Sequence, residues 1–169
     1  LQPQLQPSQW LTNGHFFVAI TFLVLNLTNR RYGAAYATAQ VTLVWIILGS
    51  LGYYYFVVSE QPFMERQLPP VRVSASLVLA LLTAQYLCIS IFDWTRGRPW
   101  WRAPIYSAIW GSATFCFIFY PAAKYGIDTP WINQMVIHLI LMTVMSFLML
   151  IPYFLLRPVV KPLPGSGGA

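Results

Sequence analysis

Charge is the scarcest commodity in this chain: ten Lys and Arg and four Asp and Glu stand among 169 residues. A soluble domain of that length needs several times as many to cover its surface, so a water-soluble fold is excluded. Catalytic signatures are also missing. The sequence holds no H-E-x-x-H, no G-x-S-x-G, no glycine-rich nucleotide loop and no paired carboxylates, which removes the familiar hydrolase and nucleotide-dependent classes. Cysteine is down to Cys88 and Cys116, far apart and inside apolar runs, so both read as buried thiols rather than a redox pair. No Asp, Glu, Lys or Arg falls in the middle of an apolar run, which counts against an ion pump or a proton-coupled carrier. The two halves carry no inverted repeat, a further point against a small transporter.

What the chain does have is apolar length. Five runs, at Gly14–Asn29, Ala34–Ser59, Val73–Phe92, Ala103–Ala123 and Trp131–Leu155, are separated by segments that hold nearly every charge. About 20 apolar residues at 1.5 Å each cross the hydrocarbon core as a helix. The expected fold is therefore an all-α polytopic membrane protein of about five transmembrane helices in a plasma or inner membrane. Its expected parts are an extended lead over 1–9, one membrane domain over 10–157 and a flexible Pro/Gly-rich tail over 158–169. No Lys or Arg precedes the first run, so that run reads as a retained helix rather than a secretion signal.

The net charge of +6 suggests no nucleic acid, because the cations flank apolar runs instead of forming a face. Used for orientation, they divide unequally. Arg30, Arg31, Arg96, Arg98, Arg102, Arg157 and Lys161 fall on one side, and only Arg66, Arg72 and Lys124 on the other, where Glu60, Glu65 and Asp128 balance them. The positive-inside rule then puts the N-terminus outside and the C-terminus in the cytoplasm. Trp10, Tyr32, Trp94, Trp100, Trp101, Tyr125, Trp131 and Tyr153 are expected as interfacial anchors. Trp45 and Trp110 fall deeper. Gly49-Ser50-Leu51-Gly52, Ala80 with Ala84, and Gly111-Ser112-Ala113 are expected helix contacts, while Pro121 and Pro152 should bend or end their helices.

Three groups of residues are candidates for chemistry. His15 and His138 sit on the first and fifth runs, in the same half of the membrane, and two imidazoles from different helices suit haem or part of a copper site. Met135, His138, Met142, Met145 and Met149 follow three-four spacing on one helix face; thioether plus imidazole at Met135, His138 and Met142 would suit Cu(I), although core packing is the plainer reading. The segment with Arg96, Arg98, Trp100, Trp101 and Arg102 suits an anionic lipid headgroup or another phosphate. Asp93 is expected to pair with Arg96, and Gln40 and Gln85 to bond across helices.

Together these features favour a non-catalytic structural or cofactor-supporting subunit of a larger membrane complex. Its partners would be lipids, other integral membrane subunits and a hydrophobic pigment or ligand. The alternatives are a small membrane enzyme acting on a hydrophobic substrate, or a haem or copper electron-transfer subunit using His15 and His138.

Overall fold

The computed structural model describes residues 13–54, 71–97, 99–126 and 130–164. Five long helices follow one another: α1 Asn13–Tyr32, α2 Ala34–Tyr53, α3 Val71–Thr95, α4 Arg102–Lys124 and α5 Trp131–Leu156. Four of them, α2 to α5, are long and apolar enough by composition to cross a membrane. At 20 residues, α1 is about 30 Å long, enough to span, but it carries more polar side chains. The protein is a multi-pass, all-α integral membrane protein.

The reason α1 tolerates those side chains is its position: it packs against each of the other four helices. Ala19, Phe22, Leu25, Asn26, Asn29 and Arg30 are all buried, and their spacing of three and four places them on one broad face. A helix enclosed by protein can hold polar groups that lipid would reject. The outer helices show the reverse. Only 11% of the apolar window of α2 is buried, against 56% for α4, and Leu43, Ile46, Ile47, Leu48 and Leu51 of α2 are exposed. In a bilayer such side chains meet acyl chains at no cost.

The most extensive contact joins α3 to α4. Ser76, Ala80, Ala84 and Cys88 repeat every four residues along the buried face of α3, opposite Ala108, Gly111, Ser112 and Cys116 on α4. Lipid offers no hydrophobic drive for helices to associate, so close backbone approach and dispersion must supply it, and small side chains permit that approach. Gly111 sits within this close approach. A Cβ there would lie 3.2 Å from Phe22 Cζ and 3.3 Å from the Ala84 carbonyl oxygen.

Several expectations change on contact with the structure. A Cβ at Gly49 or Gly52 would meet nothing within 4 Å, so among the described residues these glycines mark no close helix contact; they lie on the outer part of the most peripheral helix. The first connection is shorter than expected. Arg30, Arg31 and Tyr32 remain helical, and only Gly33, with φ 87°, separates α1 from α2. That left-handed value favours glycine. Neither Pro121 nor Pro152 stops its helix at once, since α4 runs on to Lys124 and α5 to Leu156. Tyr153 is 1% exposed and stacks on Trp100 at 6.5 Å, so it is a core residue and not an interfacial anchor. Trp10 and the charged residues of the second connection, Glu60, Glu65 and Arg66, lie outside the described residues, as does Asp128.

Replacing Gly111 by Val should lower stability by about 1–3 kcal/mol through overpacking against Phe22 and the α3 backbone. Gly111→Ala should cost less. Thermal unfolding in detergent, followed by tryptophan fluorescence, measures both, and a Val variant as stable as the parent would contradict the close contact.

Candidate functional site

Polar side chains gather at two levels of the bundle. The larger group lies where the C-terminal ends of α1 and α3 meet the N-terminal end of α4. Asn26 Nδ2 donates to the Pro104 carbonyl at 3.3 Å, while its Oδ1 accepts from Ser107 Oγ at 2.9 Å and, more weakly, from Cys88 Sγ at 3.5 Å. One turn on, Asn29 Nδ2 donates to the Ile89 carbonyl at 2.9 Å, and Asn29 Oδ1 accepts from Arg96 Nη2 at 2.7 Å. Arg96 Nη2 also reaches the Asn29 carbonyl at 3.0 Å and Asp93 Oδ1 at 2.9 Å. The two asparagines thus bolt α1 to α3 and α4 through backbone carbonyls that have a second lone pair to offer. The sequence signal for this joint is Asn26-x-x-Asn29 within an apolar helix, masked because Asn29 also closes the apolar run.

Arg30 continues the same face and is 3% exposed. Its Nε donates to the Val160 carbonyl at 2.9 Å, and its own carbonyl accepts from Leu163 N–H at 3.0 Å. The chain after α5 is therefore laid back over the end of α1, and the tail expected to start at 158 is hydrogen-bonded to the bundle through residues 160 and 163. Arg30 was read only as an orienting surface charge; it is instead a buried tether.

At the other end, α4 and α5 are joined by Tyr120 and His138, whose hydroxyl and Nδ1 lie 3.0 Å apart. Phe115 packs edge-on to the imidazole at 5.5 Å. Lys124 Nζ donates to Gln134 Oε1 and sits over the Tyr120 ring. Arg72 crosses from α3 to donate to the carbonyls of Ala122 and Tyr125 at 2.7 and 2.8 Å, capping the negative end of α4.

The candidate residues fall out as follows. His138 and Met142 are buried in the same core and Met135 packs against it, so the Met face of α5 points inward. His15 lies on α1, but its side chain is outside the described ones, as is Arg98. Among the described residues no three His, Cys, Asp and Glu side chains gather as a metal cluster. The basic segment divides: Arg96 faces inward on Asn29 and Asp93, whereas Arg102 lies over Tyr106 and Trp101 is 42% exposed. Trp100 takes Arg157 on its face at 5.3 Å. The expected Asp93–Arg96 pair is present, and Gln85 accepts from Trp45 Nε1 at 2.7 Å, the cross-helix bond expected of it.

One recess has the make-up of a small-molecule site. It opens on the side of the bundle between α1, α2 and α3, has a volume of about 190 Å³, and is walled by Ile20, Val24, Leu25, Val41 and Val44 with Thr21, Gln40 and Gln85 among them. Apolar walls with a few fixed amides are the usual composition of a ligand pocket.

The family described as "Putative vitamin uptake transporter" matches residues 12–156. The chain belongs to this family. The match leaves out residues 1–11 and 157–169, and so covers every helix described above. No curated protein and no solved structure matches the chain. An all-helical membrane bundle of this family is consistent with a non-catalytic membrane component of a transport system.

Asn29→Ala should destabilise the protein by about 1–3 kcal/mol, because the Ile89 carbonyl and Arg96 both lose a buried partner. Asn29→Asp, which keeps the acceptor for Arg96, should recover part of the loss. Unfolding in mixed micelles is the measurement, and an Ala variant of unchanged stability would show that the asparagine does not hold α1 in place.

Proposed function

We propose that the chain is the solute-binding membrane component of an uptake system for a vitamin-like small molecule. The observation that carries this reading is the family match over 12–156. It changes the weight of the sequence argument. The absence of a central charge and of an inverted repeat counted against a carrier that works alone and is driven by protons. Neither absence counts against a component that binds a neutral or zwitterionic solute and takes its driving force from a partner.

The lateral recess supports the same reading. Gln40 and Gln85 offer amides that can donate and accept, and Thr21 offers a hydroxyl, on an otherwise apolar wall. Trp45 Nε1 holds the Gln85 carbonyl oxygen, so a solute acceptor would take the amide donors of Gln85. The volume of about 190 Å³ suits a compact solute of one or two rings. The orientation belongs to the same proposal: with the N-terminus outside, the cation-rich end of the bundle faces the cytoplasm.

The purified chain in detergent should bind at least one member of a panel of radiolabelled water-soluble vitamins above the level of an unrelated membrane protein. Gln40→Leu and Gln85→Leu should each weaken that binding about tenfold, the cost of one or two lost hydrogen bonds, with the protein still folded. Binding no greater than that of the unrelated protein, for every member of the panel, would remove the proposal.

A further inference from the structure

Beneath the laid-back tail lies an open groove of about 560 Å³, lined by Arg30, Phe154, Leu155, Arg157, Pro158, Lys161 and Pro162. Three of these residues are cations and none is acidic. Among the described residues the one ion pair is Arg96–Asp93, so no described carboxylate balances the groove. Arg30 is 3% exposed, and among the described residues its Nη1 has no hydrogen-bond partner. A guanidinium held in protein without a counter-charge is costly, and the cost falls when an anion comes within reach.

The rest of the groove is shaped for an anion attached to something apolar. Arg157 is steadied by the face of Trp100, and the prolines on either side of the groove limit the backbone that carries Lys161. Phe154 and Leu155, at the mouth, are 53% and 65% exposed and continue the outer apolar surface of α5. The cations therefore sit at a helix end, where headgroups lie, and the apolar residues run from there toward the hydrocarbon.

We propose that this groove is a binding site for a phosphate group, presented by an anionic phospholipid whose acyl chains run along Phe154 and Leu155. Arg157 and Lys161 meet the phosphate oxygens directly, and the buried charge of Arg30 adds attraction from below. The site is distinct from the lateral recess and does not depend on the transport reading. It also differs from the Arg96–Arg102 segment as a lipid site, since Arg96 faces inward.

The test uses the full chain in detergent, with native mass spectrometry reading retention of added phosphatidylglycerol against phosphatidylcholine. Phosphatidylglycerol should be retained in preference. The variant Arg157→Gln/Lys161→Gln, altered only at partly or fully exposed positions, should lose that preference by roughly 10- to 30-fold, as expected for two cations near a membrane surface. Arg31→Gln, which removes an exposed cation outside the groove, should leave it unchanged. Equal retention of the two lipids, or equal loss in Arg31→Gln and in the double variant, would overturn the site. Displacement of phosphatidylglycerol by glycerol 1-phosphate at equal concentration would overturn the lipid and leave a soluble phosphate ester as the ligand.

Discussion

The bundle depends on a single solvent constraint: a polar side chain inside a membrane has to be answered by protein. Helix α1 carries Asn26, Asn29 and Arg30 on one face, and that face can exist only in the middle of the structure. The amides of Asn26 and Asn29 find the Pro104 and Ile89 carbonyls, and Arg30 finds Val160. With α1 packed against all four other helices, its polar face is turned to protein while Phe16, Phe17 and Val24 stay exposed, and the outer apolar surfaces of the other helices are left to face lipid. The hydrogen bonds need not be strong for this to hold, since membrane-embedded bonds of this kind average under about 1 kcal/mol each. What they supply is discrimination, because any other placement of α1 would leave the same groups unanswered in hydrocarbon.

Packing then sets the distances that the polar bonds require. The stripe Ser76, Ala80, Ala84 and Cys88 brings α3 against α4 closely enough for the Gly111 Cα to sit beside the Ala84 carbonyl. Phe22 fills the remaining space from α1. Small residues on two helices and one large residue on the third make a joint that is tight at a single level, and the Asn26–Ser107 and Asn29–Arg96 bonds lie on the side of that joint toward the C-terminal end of α1. At the opposite end Arg72, Lys124, Tyr120 and His138 clamp α3, α4 and α5.

The number of helices and their approximate ends were legible in the sequence because apolar length is a direct readout of bilayer thickness. The small residues of α3 and α4 were legible for a similar reason, since helix spacing projects them onto one face. Three things were not. The Gly49–Gly52 segment has the same composition as a packing face yet lies on the outside, because composition does not say which helix is peripheral. Tyr153 has the position of an interfacial anchor but turns inward to Trp100. Arg30 has the position of an orienting charge but is enclosed by the chain that follows α5, a contact spanning 130 residues that no local pattern encodes. The candidate site was legible only in part: Gln40 and Gln85 stood out as polar residues in apolar helices, while the recess they share with Thr21 depends on how α2 leans against α1 and α3.

That lean bears on how a solute would move. Helix α1 packs against all four other helices, and the recess beside Gln40 and Gln85 opens sideways between α1, α2 and α3. Of its three walls, α1 is tied by asparagines and α3 is locked to α4 by close packing. Helix α2 is the least buried of the four apolar helices. Its described side-chain bonds to other helices run through Thr42 to Tyr86 and Trp45 to Gln85, and Gly33 joins it to α1 through one residue. The wall that carries Gln40 is thus the one with least to lose on moving. Access to the recess is more cheaply gained by displacing α2 than by loosening the α1–α3–α4 joint, so binding and release should be governed by a peripheral helix while the polar core stays closed.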